Sequence, residues 1–178
     1  MPEVSQYRLL GVLQVVAGLI VTCFGVFGLD PQSNHAAETV LGVLWVLLGL
    51  ITGFVLPRVG PWALEASLLA ASLMLGVATF LSERPSVQVC NGIGLVLMGV
   101  FAAHALPLPR VIVFLAASSV AYAIAIVASG TPDAGWLAAA VVAMLAFNTW
   151  HVWVLVDRMR HASLTDPMYR TKHRDRHT

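Results

Sequence analysis

Polar side chains inside or at the ends of long apolar runs are candidates for function, because a polar group is costly in a membrane. Four such residues stand out: Glu65, His104, Asn148 and His151. In a chain that crosses a membrane six times, Glu65 begins the third crossing, and both histidines lie near the same inner surface. A carboxylate and two imidazoles at one depth predict a shared polar or ligand site, in which the histidines face a metal ion or a haem.

A plainer interpretation of the same residues is interfacial polarity. Polar side chains at helix ends reach towards water, and Trp62, Trp150 and Trp153 would then belong to an aromatic belt. The histidines have no metal-binding spacing, so we favour this interpretation and expect no cofactor, no metal and no catalytic residue. Cys23 and Cys90 are predicted to be buried, inert thiols, with a bridge between them as the alternative.

The elements that position these residues are long uncharged runs. The 178 residues are 58% hydrophobic and 11% charged, whereas soluble domains carry about 25% charge. The runs cover residues 9–29, 39–56, 62–81, 87–106, 111–127 and 136–156. Each is close to the roughly 20 residues that a helix needs to cross hydrocarbon. The sequence therefore predicts an all-α polytopic membrane protein with six transmembrane helices, which form one domain over residues 1–157.

Charge placement predicts the orientation. Six crossings put both termini on one side, and nine of the ten Lys and Arg residues fall there: Arg8, Arg58, Arg110, Arg158, Arg160, Arg170, Lys172, Arg174 and Arg176. Positive residues stay on the cytoplasmic side of a membrane. The protein is therefore expected in the cell inner (plasma) membrane, with both termini in the cytoplasm. The opposite loops are predicted to carry Arg84 and the acidic residues Asp30, Glu38, Glu83 and Asp133.

The sixth run passes into Asp157–Arg160 without Gly or Pro. One helix is therefore expected to cross the membrane and continue into water, until Pro167 pushes Asp166 out of the helical region. Residues 158–178 would form a cytoplasmic helical extension and a basic tail. Membrane lipids are the expected partners. The basic tail either binds anionic lipid at the membrane surface or is solvated, in which case lipid contacts only the spans. We expect no nucleic-acid partner.

A heptad-like seam follows the sixth helix at intervals of three and four residues: Leu145, Asn148, Val152, Leu155, Met159 and Ala162. It predicts a parallel homodimer, with chance periodicity as the competing explanation. Gly49 and Gly53 form a GxxxG pattern, which marks either a dimer face or close packing within one chain.

The segment from Arg160 to Pro167 resembles the entry to the GGDEF domains of diguanylate cyclases, where a membrane-exit helix ends in Thr-Asp-Pro-Leu-Thr-Gly-Leu. Thr165, Asp166 and Pro167 match this motif, Met168 stands for its first Leu, and Arg174 falls where the family has an Arg. Upstream, three segments are similar to the multi-span sensor regions fused to such domains in actinobacteria: Phe101–His104, Leu108–Arg110 and Ala121–Ala123.

The chain also departs from the family. Tyr169 and Arg170 replace its Thr-Gly, His173 replaces its Asn, and no Gly follows Gly135, so the GG(D/E)EF loop is absent. We therefore expect no cyclase activity from this chain. The resemblance implies a membrane sensor or anchor that relays a signal through the sixth helix. The implied relay residues are Val152, Leu155, Met159, Ala162, Thr165, Asp166 and Pro167.

Two other functions stay open, a small membrane transporter and an accessory subunit of a larger membrane complex. The sequence shows no broken helix at mid-membrane and no central ionisable pair, which disfavours a transporter. It also shows no nucleophile–base spacing, which disfavours an intramembrane enzyme.

Overall fold

The computed structural model describes residues 4–27, 34–60, 62–82 and 84–165, and within these ranges its regular structure is entirely helical. The helices are α1 Val4–Phe27, α2 His35–Phe54, α3 Trp62–Leu81, α4 Pro85–Ala105, α5 Leu108–Ala128 and α6 Ala134–Thr165. A 3₁₀ turn, Leu56–Arg58, follows α2. All six helices of the described ranges are long and apolar enough to cross a membrane. The predicted fold class is confirmed.

The start of α2 differs from the predicted run at residue 39. Asn34 caps this helix, because its side-chain oxygen accepts a hydrogen bond of 3.1 Å from the backbone N–H of Ala37. Asn is a favoured N-cap residue, so the helix begins a turn early. Glu38 was predicted to lie in a loop, and that prediction is wrong. It lies in the first turn of α2 and is only 8% exposed.

The helices α3 to α6 form a ring in the order α3–α4–α6–α5, in which each helix packs on the next. The helices α1 and α2 form a hairpin that is the most extensive helix pair in the described chain, and it joins the ring mainly through α3. The largest fully buried side chains of the ring include Leu64, Leu68, Leu95, Phe114, Ile126 and Leu145.

Glycines allow the close approach of α1 and α2. A Cβ atom on Gly18 would lie 2.6 Å from the backbone nitrogen of Val46, and one on Gly49 would lie 2.7 Å from the carbonyl oxygen of Gly11. These neighbours are backbone atoms and cannot move aside, so only glycine fits. Of the two explanations for the GxxxG pattern, packing within one chain is confirmed for Gly49.

The last helix continues without interruption to Thr165, which confirms the predicted continuation beyond the apolar run. A helix of 32 residues is about 48 Å long, whereas the hydrocarbon core is about 30 Å thick. The predicted boundary between the transmembrane part and the cytoplasmic part, at residues 157 and 158, falls inside α6, which runs from Ala134 to Thr165. The predicted break at Asp166 and Pro167 lies outside the described residues.

The two cysteines are free and exposed on the surface of the bundle. The prediction that they are buried is wrong. The physical reason is that lipid is as apolar as a protein core, so a small apolar side chain in a membrane gains little from facing another helix.

Candidate functional site

The bundle has two polar ends. The basal end is defined by Tyr7, Gly60, Glu65, Arg110 and Arg160, and α6 leaves the ring there. The distal end is defined by Glu38, Gln88, Asn91 and Thr131. Helices that follow one another in the chain run in opposite directions, so each end collects the starts of three helices and the ends of the other three.

At the basal end, Glu65 forms an ion pair with Arg110 at 3.5 Å. The two residues lie in the first turns of α3 and α5, and both side chains are partly exposed. A solvent-screened pair of this kind contributes at most about 1 kcal/mol. The Glu65 carboxylate is therefore turned to a cation of the neighbouring helix.

The other predicted site residues each have a different environment. The side-chain nitrogen of Asn148 donates a 2.8 Å hydrogen bond to the carbonyl oxygen of Met144 in its own helix. His151 is exposed and stacks on Phe147, with ring centroids 6.0 Å apart. His104 is exposed at the end of α4.

No hydrogen bond or ion pair between described residues joins any two of these four candidates. The described chain also contains no group of three or more His, Cys, Asp or Glu side chains that could hold a metal ion. In the described part of the chain, the four candidates therefore do not form one bonded site.

The predicted relay seam divides into two parts. Leu145 is fully buried in the core of its own chain, and Val152 is half-buried. Further along, Leu155 is 46% and Met159 is 62% exposed, and Ala162 is also exposed. Thr165 is the last described residue of α6, and Asp166 and Pro167 lie outside the described residues. Among the seam residues whose side chains the structure describes, Leu155, Met159 and Ala162 are the exposed ones and are open to a second copy.

Two side-chain bonds tie helix ends together at the basal end. The guanidinium of Arg160 donates a 2.9 Å hydrogen bond to the backbone carbonyl oxygen of His104, which connects α6 to the end of α4. The hydroxyl of Tyr7 donates to the carbonyl oxygen of Gly60 at 2.8 Å, which connects α1 to the turn before α3.

A buried polar network joins the hairpin to the ring. The amide nitrogen of Gln14 donates to the hydroxyl of Ser67 at 3.0 Å, and that hydroxyl lies 2.6 Å from the hydroxyl of Thr52. Thr52 also donates to the carbonyl oxygen of Leu48 in its own helix. None of these residues was among the predicted site residues. An amide inside an apolar run, as at Gln14, was the available signal.

A second amide fastens the distal end. The side-chain nitrogen of Gln88 lies 2.8 Å from the carbonyl oxygen of Ser82 and 2.8 Å from the hydroxyl of Thr131. The hydroxyl of Tyr122 donates to the backbone carbonyl oxygen of Gln88 at 2.9 Å. These bonds hold together α4, α5, the end of α3 and the connection into α6.

The distal cavity is a space of about 210 Å³ between the hairpin and the α3–α4 pair. Ile20, Val21 and Phe24 of α1 form an apolar wall, and Glu38, Cys90 and Asn91 contribute polar groups. Within the described chain, neither Glu38 Oε2 nor Asn91 Nδ2 has a hydrogen-bond partner, although both atoms are buried.

The two residues with unpaired atoms in the distal cavity, Glu38 and Asn91, were not among the predicted site residues. Glu38 was placed in a loop, although Asn34 four residues earlier was a signal for an early helix start. Asn91 is an amide inside an apolar run and met the same criterion as Asn148. A cavity with an unpaired acceptor and an unpaired donor among the described residues can bind a ligand.

Comparison of the chain with protein-family models, curated proteins and solved structures finds no match.

Proposed function

We propose that this protein is a plasma-membrane sensor or anchor module with both termini in the cytoplasm, which relays a signal through α6. The observation that carries the proposal is the unbroken course of α6 from the ring to Thr165. A continuous helix transmits a shift or rotation along its length, because its hydrogen-bonded backbone moves as one body.

The charge distribution supports the cytoplasmic placement of the termini. The fold gathers Arg58, Arg110 and Arg160 towards the basal end, where α6 leaves the ring. Arg84 precedes α4 at the distal end. Positive residues are enriched on the cytoplasmic side of membrane proteins, so the basal end is proposed to face the cytoplasm.

The exposed part of the α6 seam supports a parallel homodimer. Leu155, Met159 and Ala162 follow one another at spacings of four and three residues, and all are exposed. Two copies of this stripe can pack against each other as a short coiled coil. The resemblance of Arg160–Pro167 to the exit helix of diguanylate cyclases supports the same arrangement, in which a dimer positions two output domains.

The relay is tested by fusing a diguanylate cyclase domain after Thr165 and measuring cyclic di-GMP. One to four alanines are inserted between Ala162 and Ser163, which turns the fused domains by about 100° per residue. We expect the output to rise and fall with the helical period of about 3.6 residues. The control places the same insertions after a flexible Gly-Ser linker. In this control the cyclic di-GMP output should no longer vary periodically with the number of inserted alanines. A flat output from the direct fusion would contradict the relay.

A further inference from the structure

We propose that the distal cavity binds a small organic ammonium ligand that also carries a hydrogen-bond acceptor. The first argument is the acceptor atom Glu38 Oε2, which is buried without a partner among the described residues and belongs to a residue that is only 8% exposed. A buried carboxylate without a partner is strongly disfavoured. An ammonium N–H in the cavity would supply both the hydrogen bond and the countercharge.

The second argument is the donor atom. Asn91 Nδ2 is also buried without an acceptor among the described residues, and Asn91 lines the same cavity as Glu38. A hydroxyl or carbonyl oxygen on the ligand would accept this hydrogen bond. A carboxylate or phosphate would also accept it, but the Glu38 carboxylate in the same cavity would repel an anion.

The volume and the lining of the distal cavity limit the size and the chemical class of the ligand. A cavity of about 210 Å³ is smaller than the pockets of roughly 300–1,000 Å³ that hold drug-sized ligands. This space suits a short amino alcohol or amino amide, and it is too small for a lipid with two acyl chains. Ile20, Val21 and Phe24 would cover the hydrocarbon part of the ligand.

The cavity lies where the hairpin meets the ring, so a ligand there touches both parts. Binding at this site does not depend on the proposed function. Only the role of the ligand as the stimulus of the sensor rests on the proposed function. A binding measurement on the chain without an output domain tests ligand binding separately from signal relay.

The test uses the full chain in lipid nanodiscs and the probe 5-amino-1-pentanol, followed by saturation-transfer NMR. We expect saturation transfer to the probe and none to 1,5-pentanediol, which lacks the ammonium group. Glu38→Gln should weaken binding at least tenfold. The matched control Glu65→Gln makes the same change in the basal ion pair and should leave binding unchanged.

A second measurement locates the ligand. Cys90 lines the cavity, and Cys23 is the other thiol, so Cys23→Ser leaves Cys90 as the sole target of N-ethylmaleimide. The probe should slow alkylation of Cys90 at least fivefold, and Asn91→Leu should reduce this protection. An unchanged melting temperature of each variant shows that it is folded. The proposal is overturned if the native chain gives no transfer, if 1,5-pentanediol binds equally, or if folded Glu38→Gln binds as the native chain does.

Discussion

Arg160 donates a hydrogen bond of 2.9 Å to the backbone carbonyl oxygen of His104, and this bond ties α6 to α4 where α6 leaves the ring. The acceptor belongs to the last turn of α4, whose carbonyl groups lack partners within the helix. The bond therefore uses a free acceptor of one helix to hold the direction of another.

Replacing Arg160 should alter the relay in the cyclase fusion. Arg160→Gln weakens a bond of about 0.5–1.5 kcal/mol, so the balance between two positions of α6 should change roughly two- to tenfold. Cyclic di-GMP output measures the change. Arg160→Lys keeps a charged donor and should restore part of the native output, while the exposed Arg158→Gln serves as control. Identical output from all four proteins would show that this bond has no part in the relay.

The proposed orientation predicts which positions react from outside the cell. In a chain lacking Cys23 and Cys90, Pro132→Cys at the exposed distal end should react with a membrane-impermeant maleimide on intact cells. Arg158→Cys at the exposed basal end should react only after the cells are opened. The physical reason is the cytoplasmic retention of positive residues. The reverse pattern would place the termini outside.

The two glycines of the GxxxG pattern should differ in their tolerance of alanine. A Cβ at Gly49 would meet backbone atoms of α1 at 2.7 Å, whereas one at Gly53 has its nearest neighbour at 4.0 Å. Gly49→Ala should lower the free energy of unfolding by about 1–3 kcal/mol, because the helices must separate. Gly53→Ala should change it by less than about 0.5 kcal/mol. Unfolding in mixed detergent–SDS micelles measures both, and equal losses would contradict the observed hairpin contact.

The buried network predicts coupling between Gln14 and Ser67. A double-mutant cycle with Gln14→Leu and Ser67→Ala isolates their interaction, because each change removes one partner of the 3.0 Å bond. Hydrogen bonds inside membranes couple by about 0.6 kcal/mol on average and reach about 1.7 kcal/mol. We expect a value in that range from unfolding titrations. Strict additivity would mean that the bond does not join the hairpin to the ring.

The seam predicts where two copies meet. Leu155→Cys and Met159→Cys, each in the chain without native cysteines, should form disulfide-linked dimers on mild oxidation. Arg158→Cys lies between them on another side of α6 and should cross-link at least several-fold less. Equal cross-linking at all three positions would indicate random collision in the membrane.

The number and approximate extent of the helices could be predicted from the sequence because membrane spans obey local rules. Uncharged runs of sufficient length, ended by Pro57, Pro107 or Pro132, predict helices wherever backbone groups must bond internally. The start and end of α3 agree with the predicted run from residue 62 to 81. The same local rule predicted the continuation of α6, since neither Gly nor Pro interrupts Asp157–Arg160.

The partners of polar side chains were decided only by the tertiary structure. Glu65 and Gln14 each find a partner on another helix, Arg110 at 3.5 Å and Ser67 at 3.0 Å. Helix order around the ring sets these pairs, and sequence periodicity carries no information about that order. Glu38 shows this most clearly. Its loop position was predicted from the sequence, but α2 begins one turn earlier than predicted, so Glu38 lies in the helix and lines the distal cavity. The sequence alone determined the number of apolar helices. The packing of those helices determined which charged and amide side chains are buried without a partner among the described residues.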